Sequence, residues 1–390
     1  MQSFNLQLPT KVIFGKNAQD NTVSEIKKLN AKKVFIVYGS NRIKENGLLD
    51  NIENMLKKEN IDYTFFSDVK ANPLLSHARA GVKKAIEFNA DLILGIGGGS
   101  VIDTAKAIAI GAANPDIDIW DFWTHKKTLE KTVSVGCILT ISAAGSETST
   151  SAVLTNDETL EKRGFNIEFN RPKFAIMNPC FTFTLPYYQV ACGIVDIMMH
   201  TLDRYFADNC YNETTDAIAE ALLRVVIKNG VIAMKDKTNY DAMSELMWCG
   251  SLSHNTLTGL GNEFDFIAHK FGHELSGQFD VAHGASLSTV WGHWAKYCYD
   301  YSEHTRERFR KYAKNVWNVD DALEGINKTI EYFKQINMPT NFTELSIGIQ
   351  DDDMLNLLTN RTTKNGSLTF NHFRALNKED VFNIFRSCNV

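Results

Sequence analysis

Residues 91–113 read DLILGIGGGSVIDTAKAIAIGAA. Leu92, Ile93, Leu94 and Ile96 make an apolar run too short for a helix, closed by Gly97, Gly98 and Gly99. Such a run bounded by glycine predicts a strand and a tight turn, and VIDTAKAIAIGAA beyond it predicts a helix. Glycine lets backbone approach a ligand closely, and the N–H groups opening a helix favour phosphate. Gly97, Gly98, Gly99 and Ser100 are therefore candidates for a phosphate cradle; the alternative is a turn that needs glycine for its geometry alone. The spacing is not GxGxxG, so this is not the standard dinucleotide fingerprint. Asp91, Asp103 and Lys106 lie in the same window, which rules it out as a membrane span.

Upstream, KVIFG (11–15) reads as an edge strand, KKVFIVYGS (32–40) as a buried parallel strand and IDYTFF (61–66) as a third. Helical spacing fills 43–59 and 75–88 between them. Strand alternating with helix predicts a parallel sheet with right-handed crossovers. Downstream, VSVGCILT (133–140) and KFAIMNP (173–179) are further strands, and the stretch between them is irregular. From about 187 onward only helical periodicity remains, in nine segments ending near 386. The expected organisation is an α/β nucleotide-binding domain over 1–185 and an all-helical domain over 186–390. In YGSNRIK (38–44), Gly39, Ser40 and Asn41 stand where an acidic residue commonly grips an adenosine ribose, with Arg42 and Lys44 beside them. A neutral-to-basic turn tolerates a 2′-phosphate, so NADP is favoured, with NAD possible.

Composition is that of an ordinary globular chain, 44% hydrophobic and 22% charged. A net charge of -5 favours neither nucleic acid nor an anionic membrane. The seven cysteines are scattered, with no CxxC pair, and the N-terminus lacks a signal-peptide pattern. Reduced thiols and a cytoplasmic location are expected.

Two stretches carry the chemistry. DFIAHKFGHELSGQFDVAH (265–283) holds His269, His273 and His283, and GIVDIMMHTLD (193–203) holds Asp196 and His200. Residues four apart share a helix face, and Gly277 is expected to interrupt the helix and turn His283 back towards His269. The bland reading of an Asp–His pair is a surface hydrogen bond. Apolar flanks such as VDIMMH and FIAHKF instead suggest burial, where these groups need a partner. One carboxylate and three imidazoles suit a divalent transition metal such as iron or zinc.

GGGSVIDTAK, TISAAGSE, NPCFTFTLP, GIVDIMMH and HKFGHELSGQFDVAHG, in this order, resemble the iron-containing (group III) alcohol dehydrogenases, nearest to the NADP-dependent butanol dehydrogenase branch. The resemblance runs from PTKVIFG to the C-terminal helices. It implies a dehydroquinate synthase-like architecture with the active site between the two domains. It also implies hydride transfer between NADP(H) and a short-to-medium-chain alcohol or aldehyde such as butanol or butanal, and a homodimer. It assigns Asp196, His200, His269 and His283 to one Fe2+ or Zn2+ and puts His273 beside the site without being a ligand, where a proton relay or an orienting group is the expected role. It points to Gly39, Asn72, Gly97, Gly98, Gly99, Ser100, Asp103, Thr140, Ser142, Ser149, Lys162 and Thr182 for the cofactor. Ser142, Ala143 and Ala144 stand where relatives carry proline and threonine-rich residues. From the residues themselves, Trp248, Phe264, Phe266 and Phe279 suggest either an apolar substrate wall or, more often at such spacing, core packing. A sugar-phosphate cyclase or polyol dehydrogenase on the same fold, and a non-catalytic binding protein, are the competing readings. Lys270 is the only basic residue over 262–285, which counts against a phosphorylated substrate.

Overall fold

A computed structural model describes residues 2–39, 42–207 and 211–390. Asn41, a candidate cofactor contact, lies outside them. The chain divides into two compact units, Gln7–Thr184 and Met1–Leu6 with Leu185–Val390.

The first unit runs β1 (Lys11–Phe14), α1 (Thr22–Lys28), β2 (Lys33–Tyr38), α2 (Arg42–Glu45), α3 (Leu48–Lys58), β3 (Asp62–Phe66), α4 (Leu75–Phe88), β4 (Leu92–Gly97), α5 (Gly99–Ala113), α6 (Ile119–Trp123), β5 (Ser134–Leu139), β6 (Ser151–Asn156), β7 (Glu161–Asn166) and β8 (Phe174–Met177). Six strands form one sheet in the order β1-β8-β5-β4-β2-β3, every pairing parallel. Side chains alternate across it. Val34, Ile36, Leu92, Leu94 and Ile96 pack with Ile52 and Leu56 on one face. Phe35, Val37 and Ile93 pack with Ala85, Ala105 and Ile108 on the other. Burial on both faces is what made these strands continuous apolar runs. The chain steps outward from β2 to β3 and then returns to β4 on β2's other side, so the direction of strand addition reverses between β2 and β4. Ligands of such sheets sit beyond the strand C-termini at that reversal.

Two features of this unit differ from expectation. The helix expected over 43–59 is broken, because Gly47 (φ 75) starts α3 afresh after α2. The irregular stretch before 173 contains an antiparallel hairpin, β6–β7, forming its own two-stranded sheet.

The second unit is helical: α7 (Tyr187–Tyr205), α8 (Glu213–Lys235), α9 (Tyr240–His254), α10 (Ile267–Phe279), α11 (His283–Cys298), α12 (Glu303–Tyr312), α13 (Ala322–Gln335), α14 (Asp352–Thr362) and α15 (Lys378–Cys388). A π-helical turn, Ala313–Trp317, follows α12. Helix α7 is the central element: every residue from Ile194 to Tyr205 is buried, and α8, α9, α10 and α11 pack on it. Gly277 does not interrupt α10. The helix continues to Phe279, and Asp280, left-handed at φ 51, makes the turn. A lone helical glycine costs only about 1 kcal/mol, too little to end a helix whose face is buried. No helix among the described residues is long and apolar enough to cross a membrane.

Candidate functional site

Helical geometry puts Asp196 and His200 on one face of α7. His269 comes from the first turn of α10, and His283 opens α11. The three imidazoles converge on one oxygen. Nε2 of His200, His269 and His283 lies 3.4, 3.6 and 3.8 Å from Asp196 Oδ1. Donors about 2.1 Å from a tetrahedral ion stand about 3.4 Å apart, so this spacing fits a shared cation. The partnering agrees: Asp196 Oδ1 and His269 Nε2 are buried with no hydrogen-bond partner. Two such orphans, each costing about 1–3 kcal/mol, mark a place for a ligand. Asp196, His200 and His269 side chains are 6%, 5% and 3% exposed and His283 is 24% exposed, so the cluster opens on the His283 side. His273, half-buried, lies there too, its ring centre 5.3 Å from that of His283.

Close helix packing sets these positions. A Cβ on Gly284 would lie 2.1 Å from Cys192 O, so only glycine lets α11 start against α7 one turn before Asp196. Gly272 likewise admits Leu287 and Ser286 against α10. Asp203, also on α7, accepts from the backbone N–H of Ala268 (3.0 Å) and His269 (3.1 Å) and contacts His269 Nδ1 at 2.7 Å. It thus starts α10 and turns His269 Nε2 towards Asp196. Phe266, left-handed at φ 57, lays its ring 4.4 Å from that of His269 and 5.5 Å from that of His200. Burial pushes His269 down, but the Asp196 and Asp203 carboxylates outweigh it and its pKa is raised. Burial and then the neighbouring His254, His269 and Arg204 hold His200 well below the usual imidazole range, which favours the neutral form a metal needs.

Three contributors escaped the sequence reading. Asp203 is seven residues from Asp196, hence on the same helix face, and that spacing was the available signal. His254, whose Nδ1 is 2.6 Å from His200 Nδ1, and Arg204 carried none. Of the four expected aromatics, only Phe266 has a ring contact with a ligand histidine among the contacts described, and Trp248 is 41% exposed.

In the α/β unit, Gly98 caps α5 and Val101 N and Ile102 N return to its carbonyl. The glycine turn is crowded: a Cβ on Gly98 would meet Ile141 at 2.2 Å and one on Gly97 would meet Val101 at 2.5 Å. Val101 also faces Gly39, so the ends of β2 and β4 meet there. The first N–H groups of α5 have no partner within their helix, which suits an anion at Gly99 and Ser100. Ser142 Oγ is buried and has no hydrogen-bond partner. Lys162 Nζ donates to Asn72 Oδ1 at 2.8 Å. Arg42 is half-buried at the start of α2, and Thr140 N donates to Gly97 O. Three further candidates hold hydrogen bonds within the unit. Asp103 accepts from Ser146 Oγ (2.6 Å) and Val153 N (2.9 Å), Thr182 Oγ1 donates to Pro179 O, and Ser149 Oγ accepts from Ser151 N. Lys106 was also missed. Fully buried, its ammonium donates to Ser146 O and Oγ, Ser149 O and Ser151 O, and burial lowers its pKa to about 8.

Comparison with known proteins bears on both units. Residues 9–179 match the iron-containing alcohol dehydrogenase family, and residues 190–389 match the C-terminal part of the Fe-containing alcohol dehydrogenase family. NADH-dependent butanol dehydrogenase A of Clostridium acetobutylicum is 39% identical over 393 residues, 99% of each chain. An NADPH-dependent aldehyde reductase of Escherichia coli is 32% identical, covering 89% of this chain and 90% of its own. The crystal structure of NADH-dependent butanol dehydrogenase A from Thermotoga maritima superimposes with a TM-score of 0.94 at 32% identity, over 100% of this chain and 99% of the other.

Proposed function

This chain belongs to the iron-containing alcohol dehydrogenase family, and from that premise we propose that it interconverts a short-to-medium-chain aldehyde and its alcohol, with a nicotinamide nucleotide as hydride carrier. The observation that carries the reading is the convergence of three imidazole nitrogens, 3.4 to 3.8 Å away, on a buried carboxylate oxygen that has no hydrogen bond.

Asp196, His200, His269 and His283 would hold one divalent ion, iron or zinc. When bound, the ion supplies Lewis acidity to the carbonyl and the nucleotide supplies hydride. The chain's own residues do the rest. Asp203 orients His269. Phe266 covers the His200–His269 side and keeps water from it. His273, on the open side, donates a proton from a ring nitrogen to the alcohol oxygen as it forms. Gly97, Gly98, Gly99 and Ser100 receive the pyrophosphate, with Gly39, Asn41 and Arg42 at the adenosine end and Asn72, Asp103, Thr140, Ser142, Ser149, Lys162 and Thr182 as further contacts. The cyclase reading needs free cations for a phosphorylated sugar. Arg204 instead donates to the carbonyls of His200 and Ser253, and Lys270 lies over the Phe370 ring.

NADP(H) is the favoured nucleotide, because no acidic side chain stands between Gly39 and Lys44. NAD(H) is the second reading. Asp68 N donates to Gly39 O, which brings an acidic residue beside that turn, and the butanol dehydrogenases named above are NADH-dependent. The test is to add butanal with NADPH or NADH to protein loaded with iron or zinc and follow the reduced cofactor's absorbance. Oxidation that stops on chelation supports the assignment, and a kcat/KM ratio above about 10 decides the nucleotide. Metal-loaded protein that oxidises neither cofactor overturns it. A homodimer is part of the same proposal.

A further inference from the structure

His200 and His254 meet Nδ1 to Nδ1 at 2.6 Å, their rings 80° apart. Two ring nitrogens this close share one proton: one carries N–H and the other offers a lone pair. Which is which follows from a third group. Arg204 Nη2 lies 3.4 Å from the same His254 Nδ1, and a guanidinium only donates and never gives up its charge. His254 Nδ1 therefore carries a lone pair, which takes the short bond from His200 Nδ1 with Arg204 Nη2 a weaker donor sharing it at 3.4 Å, and the proton between the rings belongs to His200 Nδ1. That leaves the lone pair of His200 on Nε2, the atom 3.4 Å from Asp196 Oδ1.

Arg204 is held so that it cannot turn away. Its Nη1 donates to His200 O at 2.5 Å and to Ser253 O at 3.0 Å. Its guanidinium lies over Phe266 at 4.7 Å and over Phe264 at 5.5 Å. A Cβ on Gly259 would press on its stem at 2.8 Å. His254 is the last residue of α9, so one helix end delivers both the Ser253 carbonyl and the acceptor ring.

We propose that His254, braced by Arg204, is a positioning residue for the metal, locking His200 in the tautomer whose Nε2 can ligate. His269 receives the same service from the Asp203 carboxylate. A ligand histidine ordinarily donates its other N–H to a carboxylate, carbonyl or water; here a second imidazole accepts it. The inference rests on the metal site proposed above, and its test separates the two.

The probe is Zn2+ alone, titrated into the full chain against a chromophoric chelator, without nucleotide or substrate. His254→Leu keeps the bulk but removes the acceptor, and is expected to weaken Zn2+ binding about 10- to 100-fold. His254→Asn places an amide oxygen near the lost nitrogen and is expected to restore binding to within about threefold, a rescue that a packing role would not give. His254→Leu binding as tightly as the parent, or His254→Asn as weakly as His254→Leu, overturns the inference and leaves the metal site standing. A parent chain that does not bind Zn2+ overturns both. If His254→Leu does not fold, 15N-histidine NMR of the parent chain answers the same question. A proton on His200 Nδ1 supports the assignment, and a proton on Nε2 in the metal-free chain refutes it.

Discussion

Replacing Asp203 by Asn changes one oxygen to NH2 and almost nothing in volume. The carboxylate has three acceptor duties, to Ala268 N, His269 N and His269 Nδ1. The amide has one oxygen. Its better orientation leaves that oxygen on His269, where it serves two donors, and turns NH2 towards the Ala268 N–H. A buried N–H facing another donor costs about 1–3 kcal/mol. The contact to His269 Nδ1 loses its charge assistance, about 1 kcal/mol. The start of α10 loses a negative charge, about 0.5–1 kcal/mol. The sum, about 2.5–5 kcal/mol, falls on the first turn of α10. A second effect falls on the ion. Asp196 would balance one charge of a bound divalent cation and Asp203 the other, so the variant would leave a net positive charge buried. Zinc affinity is expected to drop about 10- to 100-fold, or about 1.4–2.7 kcal/mol. Chelator competition measures the affinity, and hydrogen exchange at residues 267–270 measures the helix start. An Asp203→Asn chain that binds zinc within about twofold of the parent, with unchanged exchange there, would refute the reasoning.

Gly284→Ala puts a methyl 2.1 Å from Cys192 O, so α11 must move, at a cost of about 1–3 kcal/mol. It is expected to lose zinc affinity by carrying His283 away; unchanged affinity in the same titration would contradict this. His273→Ala should keep its metal by elemental analysis while kcat falls about 100-fold or more; loss of metal instead would make His273 a support for His283. Asp216 accepts from Arg308 and Lys311 in a buried setting. Burial pushes its carboxyl up, but those cations hold it below the ordinary value. A depressed carboxylate stabilises fully above its unfolded pKa of about 4 and loses that contribution as pH falls through the folded value. Asp216→Asn should therefore cost about 3 kcal/mol at pH 7, and the gap in Tm between variant and parent should close below about pH 4. A gap of constant size from pH 7 to pH 3 would rule out the ion pair as its cause.

The sequence showed most clearly what repeats. Strands buried on both faces were visible as apolar runs, and Asp196 with His200 as a spacing of four. What escaped depended on partners far along the chain. His254 meets His200 across 54 residues, and no local pattern encodes that meeting. Gly277 was misread because glycine punctuates loops more often than it sits in a buried helix, while Asp280 took the left-handed turn instead. The hairpin hid because β7, EKRGFN, has little apolar alternation. Asp103 meets Ser146 and Val153 across 43 and 50 residues, which no local pattern announces either.

Asp196, His200, His269 and His283 all fall within Leu185–Val390. On the function proposed above, this unit would hold the ion and Gln7–Thr184 the nucleotide, so the binding of each can be measured without the other. Protein stripped of its metal would then still take up its nucleotide yet turn nothing over, and adding the ion back would restore turnover.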